Sequence, residues 1–183
     1  MLASKPYPTH MVSNTHLHQN SSEMFSDPTL YRSVVGTLQY LLVTRPELSH
    51  SVNKVAQFMH SPQLHQWQSV KRILRYLADT IDHGLLLHQQ SPSFVKAFSD
   101  ADWSADPNDR KSTTGFCIYF DNNLISWSTH KQKNVSQSST KAEYRVVAVV
   151  MIEILWLKSL LHELHIQTPP PQIFFLTILA LSS

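Results

Sequence analysis

The sequence predicts a chain of mixed α and β class (α+β or α/β) in two parts: a helical first half, then a short antiparallel meander followed by one long helix. Three observations predict it. Apolar residues recur at steps of three and four over residues 27–79, short alternating runs fill residues 95–127, and helical spacing returns after Ser138. The stretch from Gln89 to Ser93, rich in Gln, Ser and Pro, reads as a linker and sets a domain boundary near residue 92.

Residues 1–26 mix Pro, Ser, Asn and His without periodicity and read as an extended or disordered lead-in. Asp27-Pro28 then supplies a cap acceptor and a proline suited to the first helical position. Tyr31, Val34, Val35, Leu38, Leu41 and Leu42 follow at helical spacing up to about Arg45-Pro46. A second helix is expected from Pro46, with Leu48, Val52, Val55, Ala56 and Met59 on one face and Ser61-Pro62 as its stop. A third is expected from about Pro62 to Asp79, its stripe made by Trp67, Val70, Leu74 and Leu77. Lys71, Arg72 and Arg75 fall to the side of that stripe, which suits either a solvated polar face or contacts to phosphate.

Beyond this, Gly84 to His88 reads as a short strand. Val95 to Ser99, Gly115 to Phe120 and Asn123 to Trp127 read as three more, the last two joined by a tight turn over residues 121–123. Ser138-Ser-Thr opens the long helix, in which Val146, Val149, Val150, Leu157, Leu160, Leu161 and Leu164 are placed to cover the sheet. Pro169 to Pro171 ends that helix, and a final apolar strand spans Ile173 to Leu181.

Composition narrows the function classes. With 42% hydrophobic residues the 183-residue chain can build a core, which argues against wholesale disorder. A single cysteine, Cys117, excludes an internal disulfide framework and an all-cysteine zinc site. The N-terminus lacks the apolar run of a secretory signal, and no stretch reaches the ~18 apolar residues of a membrane helix. The expectation is an intracellular protein of cytoplasm or nucleus, neither secreted nor membrane-bound. A net charge of +2 is too small to identify a polyanionic partner by itself. With only three glycines, at positions 36, 84 and 115, there is no phosphate loop.

Carboxylates are the strongest chemical signal. Asp100, Asp102, Asp106 and Asp109 lie in one short segment, and Asp100 ends a strand-like run. Turn-forming aspartates account for such a cluster equally well. A carboxylate at a strand end can also hold a hard cation through oxygen, and Glu143 in the first turns of the long helix can supply a second ligand. Two Mg²⁺ ions about 4 Å apart, held in this way, suit phosphodiester hydrolysis. The pairs His16/His18 and His162/His165 lack the acid or thiolate that would complete a metal site, and a helix cap explains Ser138 and Ser139 better than a nucleophile does.

Four motifs in order, FSDADW (residues 98–103), DRKSTTG (109–115), LISW (124–127) and SSTKAEY (138–144), closely resemble the ribonuclease H domain of copia-type (Ty1/copia) retrotransposon Pol polyproteins. Upstream, DPTLYRSVVGTLQY (27–40), TRP (44–46), VNKVAQFMH (52–60) and the segment 67–76 look like the stretch that follows the polymerase palm in the same polyproteins. The resemblance runs over roughly residues 5–170.

It implies a reverse transcriptase tail of thumb or connection type over residues 27–92. An incomplete ribonuclease H-like domain over residues 93–183 would follow, a domain that cuts RNA in RNA·DNA hybrids with Mg²⁺ or Mn²⁺. The family's first metal-binding aspartate maps to Asp100 and its helix glutamate to Glu143. The polymerase aspartates would lie upstream of Met1, so no polymerase activity is expected, and the remaining Pol polyprotein would be a partner.

The departures matter. Lys141 stands where the family usually has a second acid, outside the expected metal site. The family's third ligand is an aspartate followed by asparagine after the proline-rich break, whereas Phe174 to Ser183 carries no acid. If Leu176 to Leu181 were encoded TTG ACA ATC TTA GCG CTC, reading from the third base would give Asp-Asn-Leu-Ser-Ala, so a single-base frameshift is one expected origin of this ending. With that ligand missing, cleavage is expected to be lost. The alternatives are a relic without function or a catalytically dead nucleic-acid-binding module using Lys71, Arg72, Arg75, Arg110, Lys111, Lys131 and Lys133.

Overall fold

A computed structural model describes residues 5, 7–12, 17, 23–89, 94–104, 106, 108–166 and 172–175, and the chain divides into two units, residues 1–85 and 86–183. The division falls ahead of the expected linker, whose residues 90–93 lie outside the described ones.

In the first unit, helix α1 (Pro28–Leu41) starts as its sequence dictates: Asp27 Oδ1 accepts from the Leu30 amide at 2.9 Å and Pro28 occupies the first turn. It ends before the expected Arg45-Pro46, because Arg45 turns inward. Arg45 is buried, and its guanidinium donates to the Thr80 carbonyl (2.9 Å), Thr80 Oγ1 (2.7 Å) and Glu47 Oε1 (2.6 Å). These bonds fasten the corner after α1 to the end of α3 (Leu64–Asp79).

A single 3₁₀ turn, Pro46–Leu48, leads into α2 (Ser49–Ala56). That helix stops short of the expected Ser61, since the chain loosens into three-residue turns that bury Phe58. Tyr31, Val35, Leu38, Leu48, Val52, Val55, Trp67, Val70 and Ile73 form the core. The α3 stripe is thus shifted from the expected one: Ile73 is buried, and Leu74 and Leu77 lie at its border.

The described part of the lead-in has no helix and packs against the first unit. Met24 bridges to Gln63, the Phe25 amide donates to the Pro62 carbonyl at 3.0 Å, and the Phe25 ring stacks on Trp67 at 4.6 Å. Leu17 is buried in the core. The described part of residues 1–26 is therefore folded onto the helices, held by aromatic and aliphatic residues too widely spaced to show a period.

The second unit is a four-stranded sheet with one helix on it. Strands β1 (Val95–Asp102), β2 (Thr113–Phe120) and β3 (Asn123–Lys131) form the antiparallel meander, each longer than its sequence signal. Asp121, at φ 55°, closes the tight turn and accepts from the Phe94 amide at 2.9 Å, which tethers the start of β1. Helix α4 (Ser139–Glu163) then crosses to β4 (Gln172–Phe175), which pairs parallel to β1, so the sheet order is β3-β2-β1-β4.

Ser138 Oγ caps α4 by accepting from the Lys141 amide. Val146, Val150, Ile154, Leu157 and Leu161 pack on Val95, Ala97 and Ile118. Val149 is only half-buried and Leu160 and Leu164 are exposed, because the true contact stripe runs through Ile154. The helix ends at Glu163, ahead of the prolines, where His165 takes a left-handed φ of 58°.

The strand expected at Gly84 to His88 is absent. His88 instead exchanges two hydrogen bonds with the Asn123 side chain (2.6 and 2.8 Å), so a side chain takes the place of a ladder partner there. The expected last strand is described only as β4, and Leu176 to Leu181, with the frame argument built on them, lie outside the described residues.

Candidate active site

Asp100 sits near the C-terminal end of β1, opposite Gly115 of β2. Alternation places it with Lys96 and Phe98 on the sheet face opposite Val95, Ala97 and Ser99, which lie under α4. One carboxylate oxygen accepts from the Ala101 amide at 2.9 Å. Burial pushes the Asp100 carboxyl above the ordinary aspartate range; the Ala101 bond opposes this, and the neighbouring charges of Asp102 and Glu143 reinforce it. The electrostatic reach of Glu143 follows from the topology. The crossover runs α4 antiparallel to β1, bringing the first turns of the helix to the end of the sheet where β1 finishes.

A buried polar cluster that sequence reasoning missed holds α4 there. Gln132, just after β3, donates to Thr114 Oγ1 (3.2 Å) and to the Ala142 carbonyl (3.1 Å) and accepts from Ser136 Oγ (3.0 Å) and Arg145 (3.4 Å). Arg145 also donates to the Asn134 carbonyl and Ser136 Oγ, both at 2.9 Å. Ala142 immediately precedes Glu143, so this side chain positions the glutamate relative to the sheet. The only sequence signal was a polar residue at the end of an alternating strand, which is unremarkable in isolation.

The four-aspartate segment splits in two. Asp106 and Asp109 are engaged by Lys131, with a Lys131–Asp109 distance of 2.9 Å, and Lys111 reaches Asp109 at 3.4 Å. Burial opposes ionisation of both aspartates, but the Lys131 hydrogen bond and charge and nearby amides outweigh it, so both lie below the ordinary range. Burial likewise opposes the charge on Lys131, yet its two carboxylate partners hold its pKa above the ordinary lysine value. These acids brace the β1–β2 connection and leave Asp100, Asp102 and Glu143 as the carboxylates at the strand end. Among the described residues, no group of three or more His, Cys, Asp or Glu side chains is gathered to hold a metal.

The basic residues separate by environment. Lys131 and Lys111 are occupied as described, while Arg110 and Lys133 are exposed. In the first unit Lys71 lies 5.8 Å from the Trp67 ring centre, and Arg72 and Arg75 lie over the Tyr7 ring at 4.4 and 5.5 Å. Arg72 also donates to the Thr9 carbonyl and hydroxyl. His162 and His165 are exposed at the end of α4, and His16 and His18 lie outside the described residues. No helix among the described residues is long and apolar enough to cross a membrane.

The comparisons with known proteins bear on this arrangement. No protein-family model matches the chain, and no solved structure matches it. The retrovirus-related Pol polyproteins of transposons RE2 and RE1 from Arabidopsis thaliana are each 47% identical to it over 175 residues, or 96% and 95% of this chain. The Pol polyprotein of transposon TNT 1-94 from Nicotiana tabacum is 41% identical over 135 residues, 73% of this chain. The chain spans 12%, 12% and 10% of the lengths of these relatives. With nearly its whole length aligned to Pol polyproteins at such identity, the chain belongs to the copia-type retrotransposon Pol family.

Proposed function

We propose that residues 93–183 form a ribonuclease H-like domain that binds RNA·DNA hybrid. In this reading Asp100 and Glu143 supply a two-carboxylate site for Mg²⁺ or Mn²⁺, and cleavage is lost for want of a third acid. The observation that carries the reading is the order β3-β2-β1-β4 with a parallel crossover through α4, which brings the helix that bears Glu143 back to the strand that bears Asp100. Residues 27–92 are read as the thumb- or connection-like tail of the reverse transcriptase. The remainder of a Pol polyprotein is the proposed partner, and an intracellular site, cytoplasmic or nuclear, is the proposed location.

The donor set fits a hard divalent cation. Asp100 and Glu143 offer oxygen ligands, and the burial that raises the Asp100 carboxyl, reinforced by the charges of Asp102 and Glu143, is the kind of unfavourable field a cation relieves. When bound, such an ion activates water and stabilises the leaving oxygen of a phosphodiester. The chain's own contributions are positional. The Ala101 amide orients the Asp100 carboxylate, the Gln132 cluster holds the turn of α4 bearing Glu143, and Arg110 and Lys133 offer exposed charge to a phosphate backbone.

Hybrid binding by the purified chain, measured by mobility shift against salt with and without Mg²⁺, tests this. Expected is salt-sensitive binding without cleavage, weakened when Arg110 and Lys133 are both changed to Gln. Absence of binding at low salt would sink the reading for the whole domain. Mg²⁺-dependent cleavage abolished by Asp100→Asn would instead restore the enzyme and overturn the proposed loss.

A further inference from the structure

The first unit contains a cavity of about 470 Å³ between the α3 surface and residues 7–12 of the N-terminal segment. Lys71, Arg72 and Arg75 line it, together with His10 and His65, and no acid is among the lining residues. Lys71 and Arg75 are one helical turn apart, as are Arg72 and Arg75, so like charges crowd one helix face. Among the described residues no carboxylate pairs with any of the three.

Two buried polar atoms of residues that line this cavity, Arg75 Nε and His10 Nδ1, have no hydrogen-bond partner among the described residues. Arg75 Nε carries a proton at all ordinary pH and can only donate, so it calls for an acceptor. A buried donor left in this state is costly, and native proteins rarely leave one without reason. The Tyr7 ring packs against both guanidinium groups and fixes their planes, while Thr9 holds Arg72 in place. The cavity is far larger than the ~30 Å³ of a water molecule and lies in the range of small-ligand sites.

We infer that this cavity is a binding site for a small phosphate monoester of nucleotide size, with the phosphate held by Arg75, Lys71 and Arg72. A phosphate dianion offers acceptor oxygens to the Arg75 and Lys71 head groups that line the cavity and neutralises the repulsion along α3. Residues 7–12 wall one side of a cavity that is open to solvent on the other, so an anion reaches the basic groups from the open side. The site is independent of the nuclease reading, since all of its residues lie in the other unit.

Titration calorimetry of the whole chain in phosphate-free buffer tests the assignment, with inorganic phosphate, a nucleoside monophosphate and the matching unphosphorylated nucleoside as probes. Both phosphates are expected to bind and the nucleoside to fail. Arg75→Gln and Lys71→Gln are each expected to weaken binding about tenfold or more, with melting curves checking that each variant folds. A 5′-phosphorylated oligonucleotide that competes with the monophosphate, where its 5′-hydroxyl counterpart does not, would identify a strand terminus as the source of the same chemistry. Failure of both phosphates to bind the native chain overturns the inference. So does equal binding of the 5′-hydroxyl oligonucleotide, which would mark a backbone-tracking surface.

Discussion

Changing Gln132 to Leu should loosen the second unit while leaving the first untouched. The native side chain is buried and makes hydrogen bonds to Thr114, Ala142 and Ser136 at 3.0–3.2 Å, with a longer one from Arg145 at 3.4 Å. Arg145 keeps two other acceptors, so its bond is discounted. Three buried bonds at roughly 1 kcal/mol each give a loss of about 3 kcal/mol, because leucine fills similar space without satisfying the partners left behind. Amide hydrogen exchange is the suitable assay, since it reads the units separately. Opening free energies in β2, β3 and the first turns of α4 should fall by about that amount, with α1 to α3 unchanged. A loss below about 1 kcal/mol, or an equal loss in both units, would refute the idea that this cluster fastens the helix to the sheet.

Three further outcomes follow from the same geometry. Arg45→Met should cost the first unit about 2 kcal/mol, seen as lower protection in α1 and α3, because it removes the buried guanidinium's bonds to Thr80, whose carbonyl keeps the His83 amide and whose hydroxyl keeps the Tyr76 carbonyl. Asp106 and Asp109 have depressed pKa values, so their contribution is present above the ordinary carboxylate range and lost as pH falls through the folded values; melting curves of Lys131→Met should show less of this acid dependence than the native chain. Asp100 runs the other way. Its raised pKa means that stability is fully present below the unfolded value and lost as pH rises through the folded one. Asp100→Asn should therefore melt higher than the native protein at neutral pH, and the gap should close on acidification.

The sequence by itself determined the helix starts, the meander and the family. Asp27-Pro28 and Ser138 cap their helices because a side-chain oxygen beside a helical apolar period has one economical use, and both caps are present. The alternating runs became a meander because a tight turn over Asp121 left adjacent strands nothing to pair with but each other. The ordered motifs identified the family, which the alignments to Pol polyproteins bear out.

Only the tertiary structure decided which polar groups meet. Asp106 and Asp109 lay in the same acidic segment as Asp100, and only the fold showed that Lys131, more than twenty residues away, engages them both. The lead-in carried no period because Leu17 and Phe25 are single anchors, and their value depends on the Trp67 surface and the helical core they bury against. Gln132 gave no local sign of its role. A side chain's hydrogen-bond partners come from other elements, and local propensity is blind to them until topology brings those elements together.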